Sequence, residues 1–189
     1  MKQGDLIMVM WIIIAAIAVL VIYVISNYNS LVQLRNQGEE ANAAVDAHLK
    51  QRYDLIPNLV ETVKGYAKHE EHTLTAVIAA RNAAMSATGF EAKQEAENAL
   101  SGALKTIFAL SEAYPDLKAN TSFLNLQTQL QKIETDLLSA RKYYNAVVKN
   151  LNNKIDMFPS NIVAMIFNFK KMSYYEIQAE ERENVKVKF

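Results

Sequence analysis

Few residues in this chain have the type and spacing that chemistry requires. His69, Glu70, Glu71 and His72 form the one cluster with the composition of a metal site. Two histidines three apart can share a helix face, but a closed or catalytic site needs at least a third ligand. The H-E-x-x-H pattern of zinc proteases separates its histidines by four, and the Glu-x-x-His pairs of di-iron bundles are also absent. A solvated helix turn is the expectation there. His48 lies beside Leu49 and Arg52, where hydrogen-bonded packing is expected rather than catalysis. No serine sits in a nucleophile elbow, and no Gly-rich phosphate loop follows a strand. The chain has no cysteine, so disulfides, thiolate sites and a lipid-modified N-terminal cysteine are all excluded. Twenty basic and twenty acidic residues cancel, leaving no global field to attract nucleic acid, and no such partner is expected. No catalytic residue, metal or cofactor is expected either, and the reading is non-enzymatic.

The elements that would position any site are helices. Five glycines and three prolines punctuate the sequence sparsely. Leu31, Leu34, Gly38, Ala41, Val45, Leu49, Arg52, Ile56, Leu59, Val63 and Tyr66 recur at threes and fours, the stripe of a long first helix. Pro57 must either kink that helix or sit in the first turn of a restart capped by Asp54. Asn58 with Glu61 offers another cap. A second helix is expected over about 72–86, with Leu74, Val77, Ile78, Arg81 and Met85 on one side and Gly89 as its stop. A third covers about 91–114 and ends near Pro115. The fourth runs from Ala119 to Phe158 on an apolar stripe that includes Phe123, Leu130, Leu137, Tyr144 and Leu151. The fold class is therefore all-α, an elongated antiparallel bundle of about four long helices.

Ahead of the bundle, residues 6–25 carry no charge and consist almost wholly of Ile, Val, Leu, Met and Ala. At about 1.5 Å per residue, twenty such residues span a bilayer's hydrocarbon core of about 30 Å. Leu6 and Ile25 bound this anchor, Trp11 lies inside it, and Tyr23 and Tyr28 stand near its far end, where amphipathic rings favour the interface. The run is too long for a signal peptide and lacks a small-residue cleavage site. Lys2 and the amino terminus against Arg35 favour, by one charge, a cytoplasmic N-terminus and an extracytoplasmic bundle. The expected organisation is a tail and single-pass anchor over 1–25, a bundle over 26–172 and a charged tail over 173–189. After Pro159, the apolar patch over 162–169 with Lys170 and Lys171 is expected to close the end of the bundle; the alternative is a membrane-surface contact. Val185, Val187 and Phe189 alternate like a strand that could join a partner's sheet, although disorder is the expectation for so charged a tail.

Several segments together carry a family signature. They are Tyr28-Asn29-Ser30-Leu31-Val32, the Arg-x-x-Leu-Ile-Pro-Asn-Leu-Val element from Arg52 to Val60, and Tyr114-Pro115-Asp116-Leu117-Lys118-Ala119-Asn120. Glu134, Arg141, Tyr144-Asn145 and Phe158-Pro159-Ser160 follow in the same order. This arrangement, covering nearly the whole chain, resembles the LemA family of bacterial membrane proteins. The resemblance implies a helical bundle tethered by one N-terminal helix in a bacterial plasma membrane, with no agreed biochemical activity. It also implies relatives in magnetosome formation and gene neighbours that encode membrane metalloproteases. The lipoprotein cysteine of some relatives is missing here, so their location does not transfer.

Arg52, Asp54, Pro57, Glu112, Pro115, Glu134, Arg141, Tyr144 and Asn145 are the structural or interaction candidates. Arg52 stands on the seam, where a buried charge needs a partner; Glu134 or Glu112 on a neighbouring helix could supply it and fix register. Tyr28-Asn29 and Tyr144-Asn145 could form polar contacts between helices. Two functions fit: a homo-oligomeric scaffold that organises or remodels the lipid bilayer, or an adaptor for another membrane protein such as a metalloprotease. Ala15, Ala16 and Ala18 would allow close helix approach in lipid.

Overall fold

A computed structural model describes residues 3–176, with side chains described from residue 7 onward. Leu6 therefore contributes only backbone to the account, and the strand considered for Val185, Val187 and Phe189 lies outside the described residues. Among the described residues there are six helices and no strand: α1 Gln3–Tyr66, α2 Glu71–Ser86, α3 Phe90–Ser111, α4 Pro115–Lys118, α5 Thr121–Asp156 and α6 Ser160–Ile166.

The anchor and the first seam are one helix. α1 is long and apolar enough to cross a membrane, and none of its most apolar stretch is buried in the protein. Its later half buries Leu31, Gly38, Ala41, Val45, Leu49, Arg52, Ile56, Leu59 and Val63, whereas Tyr66 turns outward. Pro57 neither stops the helix nor starts a new one. The capping roles considered for Asp54 and Asn58 are therefore not taken: Asp54 accepts a 2.9 Å bond from Lys50 one turn away, and the Asn58 carbonyl accepts from the Thr62 hydroxyl.

Gly89, at φ +90°, adopts the left-handed backbone that permits the turn from α2 into α3. On α2 the buried residues are Leu74, Val77 and Ala84, while Ile78 and Met85 face outward. The buried stripe is thus narrower than the sequence reading. α3 ends three residues short of the expected Tyr114. The chain there tightens into i→i−3 bonds from the amides of Glu112, Ala113 and Tyr114, and Pro115 then opens α4 at a position where its missing N–H costs nothing. Asn120 caps α5 by accepting the Phe123 amide at 2.9 Å.

The chain divides into two compact units. The first comprises residues up to 41 together with 143–174. Its centre is a cluster of Leu31, Leu151, Val163 and Ala164, with Tyr23, Val24, Leu34, Ile155, Phe169 and Met172 packed around it. Asn152 of α5 holds Met172 by both backbone groups, accepting its amide at 3.0 Å and donating to its carbonyl at 2.9 Å. Gly38 leaves room for this segment; a Cβ there would lie 2.8 Å from the Met172 sulfur. The second unit holds 42–142 and residues 175 and 176, with α2, α3 and α4 complete within it.

A buried polar hub in the second unit

The second unit is organised around adjacent residues of α1. Arg52 is 3% exposed and Glu97 of α3 is 1% exposed, so both charges are withdrawn from water. The Arg52 guanidinium lies 3.3 Å from the Glu97 carboxylate and 3.3 Å from Glu134 of α5, and it donates to the Ser101 hydroxyl at 2.7 Å. Tyr53 donates its hydroxyl to the other oxygen of Glu97. Burial, and next the hydrogen bond to the anionic Glu97, push the Tyr53 phenol well above its ordinary range and hold it neutral.

The backbone completes the hub. A proline at 57 removes the amide that would have bonded the carbonyl of residue 53, four positions earlier. Arg81 of α2 donates its Nε–H to that Tyr53 carbonyl at 2.8 Å. The acceptor that Pro57 orphans thus becomes the attachment point for α2. Residues 52 and 53 together hold α2, α3 and α5.

Glu134 lies where the sequence reading places an ion-pair partner for Arg52, but Glu112 does not. It follows the end of α3, eleven residues and three turns past Ser101, and pairs with Lys118 at 2.5 Å in solvent. Glu97 is the partner that sequence reasoning misses. Its signal is its register, since Glu97, Leu100, Leu104 and Ile107 share one buried stripe of α3.

Around the hub, Tyr175 is buried although it falls in the segment assigned to the charged tail. It stacks on Phe90 at 4.6 Å, donates to Asn42 at 2.9 Å and lies 5.4 Å beneath the Arg141 guanidinium. In the first unit, Tyr144 donates to the Ser173 carbonyl at 2.9 Å, and burial raises its phenol. Tyr28 makes ring contacts with Phe167 and Phe169 rather than the polar contact considered for it.

The hub's chemistry is that of a joint. The depression outside Arg52, Ser101 and Glu134 holds about 130 Å³, less than the roughly 300–1,000 Å³ of small-molecule sites. His69 and His72 are exposed, and Glu70 between them accepts the Tyr114 hydroxyl at 3.1 Å, a bond that raises the Tyr114 phenol. Among the described residues no group of three or more His, Asp or Glu could hold a metal ion. The Nδ1 of His48 is buried with no hydrogen-bond partner among the described residues, unlike the bonded packing expected of it.

Protein LemA of Metamycoplasma hominis is 26% identical over 162 residues, which cover 83% of this chain and 72% of that protein. Magnetosome protein MamQ 2 of Paramagnetospirillum magneticum is 28% identical over 88 residues, 47% of this chain. MamQ of Magnetospirillum gryphiswaldense is 29% identical over 80 residues, 42% of this chain. The chain spans about a third of the length of these magnetosome proteins, 32% and 29% respectively. The LemA family profile matches residues 41–189, the hub and everything after it, and the chain belongs to the LemA family.

Proposed function

We propose that this protein is a membrane-anchored scaffold that assembles with copies of itself and organises the bacterial plasma membrane, with its N-terminus cytoplasmic and its bundle extracytoplasmic. Membership of the LemA family, one unburied apolar helix and relatives named for magnetosomes fit a membrane-associated, single-pass protein. The fold is a helical bundle, and LemA is not a known enzyme family.

The observation that carries the scaffold reading is the continuity of α1. The apolar segment and the stripe that builds both units belong to one 64-residue helix, uninterrupted even at Pro57. A helix that carries both the anchor and the stripe couples association in the lipid to the chain that builds the bundle. Ala15 and Ala18 provide a small-residue face on which helices can approach closely.

The test is the mass of the full-length protein in gently extracted membranes or lipid nanodiscs, measured by light scattering and electron microscopy. A defined homo-oligomer that is weakened by Ala15→Leu with Ala18→Leu is the expected result. A monomer overturns self-assembly and turns attention to an adaptor role, with the partner found by cross-linking.

A further inference from the structure

The turn between α5 and α6, together with α6, exposes more apolar surface than a water-facing turn should. Phe158 is 79% exposed, Met165 75%, Ile166 67% and Met157 62%, three of them above and one just below the 63% of Trp11 inside the span. Contiguous apolar patches of this kind are rare on surfaces that face only water. This is not a loose loop. Ser160 donates to the carbonyls of Lys154 and Met157 at 2.7 and 2.9 Å, and the Phe169 amide returns to the Ala164 carbonyl at 2.9 Å. α6 buries Val163 and Ala164 and directs Met165 and Ile166 outward from a fixed backbone.

Its level along α1 identifies what it faces. Every described side chain from Ile7 through Ile22 is exposed, and the first that are not are Tyr23 and Val24. Those two pack on the cluster to which α6 contributes Val163 and Ala164. One turn further, Tyr28 meets Phe167 at 4.8 Å and Phe169 at 5.8 Å. The uncharged run from residue 6 to residue 22, where unbroken exposure ends, covers only about 26 Å at roughly 1.5 Å per residue, short of a hydrocarbon core of about 30 Å. The last turn of the span, where α6 sits, therefore lies within the boundary between acyl chains and headgroups.

From this geometry we infer that α6 and the preceding turn are a second membrane contact, with Met157, Phe158, Met165 and Ile166 inserted among the outer acyl carbons of the leaflet from which α1 emerges. Amphipathic elements of this kind rest about 5–10 Å into the headgroup region. Exposed Lys170 follows the patch, whereas Lys171 pairs with Asp156 at 2.7 Å and Arg35, 5.8 Å over the Phe169 ring, lies 3.8 Å from Glu39, so the polar border mixes both charges and the apolar side chains carry the contact. The contact goes beyond self-assembly and does not depend on it, but it does rest on α1 crossing the bilayer.

The chain has a single tryptophan, Trp11, which makes fluorescence a direct test. The full-length protein is reconstituted into vesicles of phosphatidylcholine with a minority of phosphatidylglycerol, with bromines at shallow or deep acyl carbons. In a Trp11→Phe background, Phe158→Trp and, separately, Met165→Trp report on the patch. Both positions are exposed enough to accept the larger ring without repacking. The expected result is a blue-shifted emission that loses most of its intensity to shallow bromines, less to deep ones and little to aqueous acrylamide. Quenching by acrylamide alone overturns the inference in favour of a water-facing turn. Quenching by neither overturns it in favour of a protein partner, including a second copy. Wild-type Trp11 in the same vesicles must be quenched by bromolipid; if it is not, the spanning reading fails and the second contact falls with it.

Discussion

The two units draw on the same two long helices, α1 and α5, and both have apolar cores, yet among the described residues only the second buries charged side chains. In the second unit a guanidinium, a carboxylate and a phenol are buried together, and α2, α3 and α5 are each tied to residues 52 and 53 by a directional bond. In the first, a small aliphatic cluster with an aromatic fringe packs the helices, joined by exposed or partly buried bonds such as Lys154 to Ser30 and Asn152 to Met172, while Phe158, Met165 and Ile166 remain uncovered. Directional bonds fix register, because a helix that slides by one turn leaves a buried charge without its partner. Apolar packing tolerates small shifts and suits a surface whose surroundings are themselves apolar.

The sharpest way to break this contrast is Glu97→Ala. It leaves Arg52 buried with only the half-exposed Glu134, and a cost of about 3–5 kcal/mol is expected. Hydrogen exchange should show protection falling across α2 and α3, with α6 little changed. Equal losses in both units would mean that the hub does not belong to one of them. The next largest effect is expected from Leu151→Ala in the first unit, about 2–5 kcal/mol from lost burial and the cavity left behind, read by denaturant unfolding. Here protection should fall first in α6.

The smallest effect separates the hub by pH. Tyr53→Phe removes one bond to a carboxylate, and a cost of about 1.5–3 kcal/mol is expected near neutral pH. The folded phenol holds its proton above the ordinary value of 10.0. Its contribution is therefore complete below that ordinary value and is lost as pH rises beyond it, because the unfolded chain then binds fewer protons than the native one. The variant should flatten the alkaline decline measured by thermal melts between neutral pH and the onset of base denaturation. Tyr114 and Tyr144 are raised as well, so part of the slope should remain.

Much of this arrangement is legible in the sequence. The anchor, the α1 seam from Leu31 to Val63 and the extent of α2 follow from apolar spacing, because amphipathic helices write their buried face at threes and fours. Arg52 on that seam announces a buried charge, and Glu134 is among the partners the sequence suggests for it. Glu97 escapes such a reading because helical periodicity marks which residues point inward without saying which helices meet. Arg81 falls on the inner face of α2, but its acceptor is a backbone carbonyl, which leaves no side-chain signature. Tyr175 reads with the charged residues after it, although an aromatic pair at 174 and 175 is the cue for a docked segment.

Pro57 has a consequence for how the molecule comes together. A helix with an ordinary residue at 57 would be complete by itself, indifferent to what lies beside it. This one is finished only when a guanidinium from another element reaches the carbonyl of residue 53. The longest element of the protein thus carries its own mark of assembly: until α2 has arrived in the correct register, the carbonyl of residue 53, in the last quarter of α1, has only water to bond.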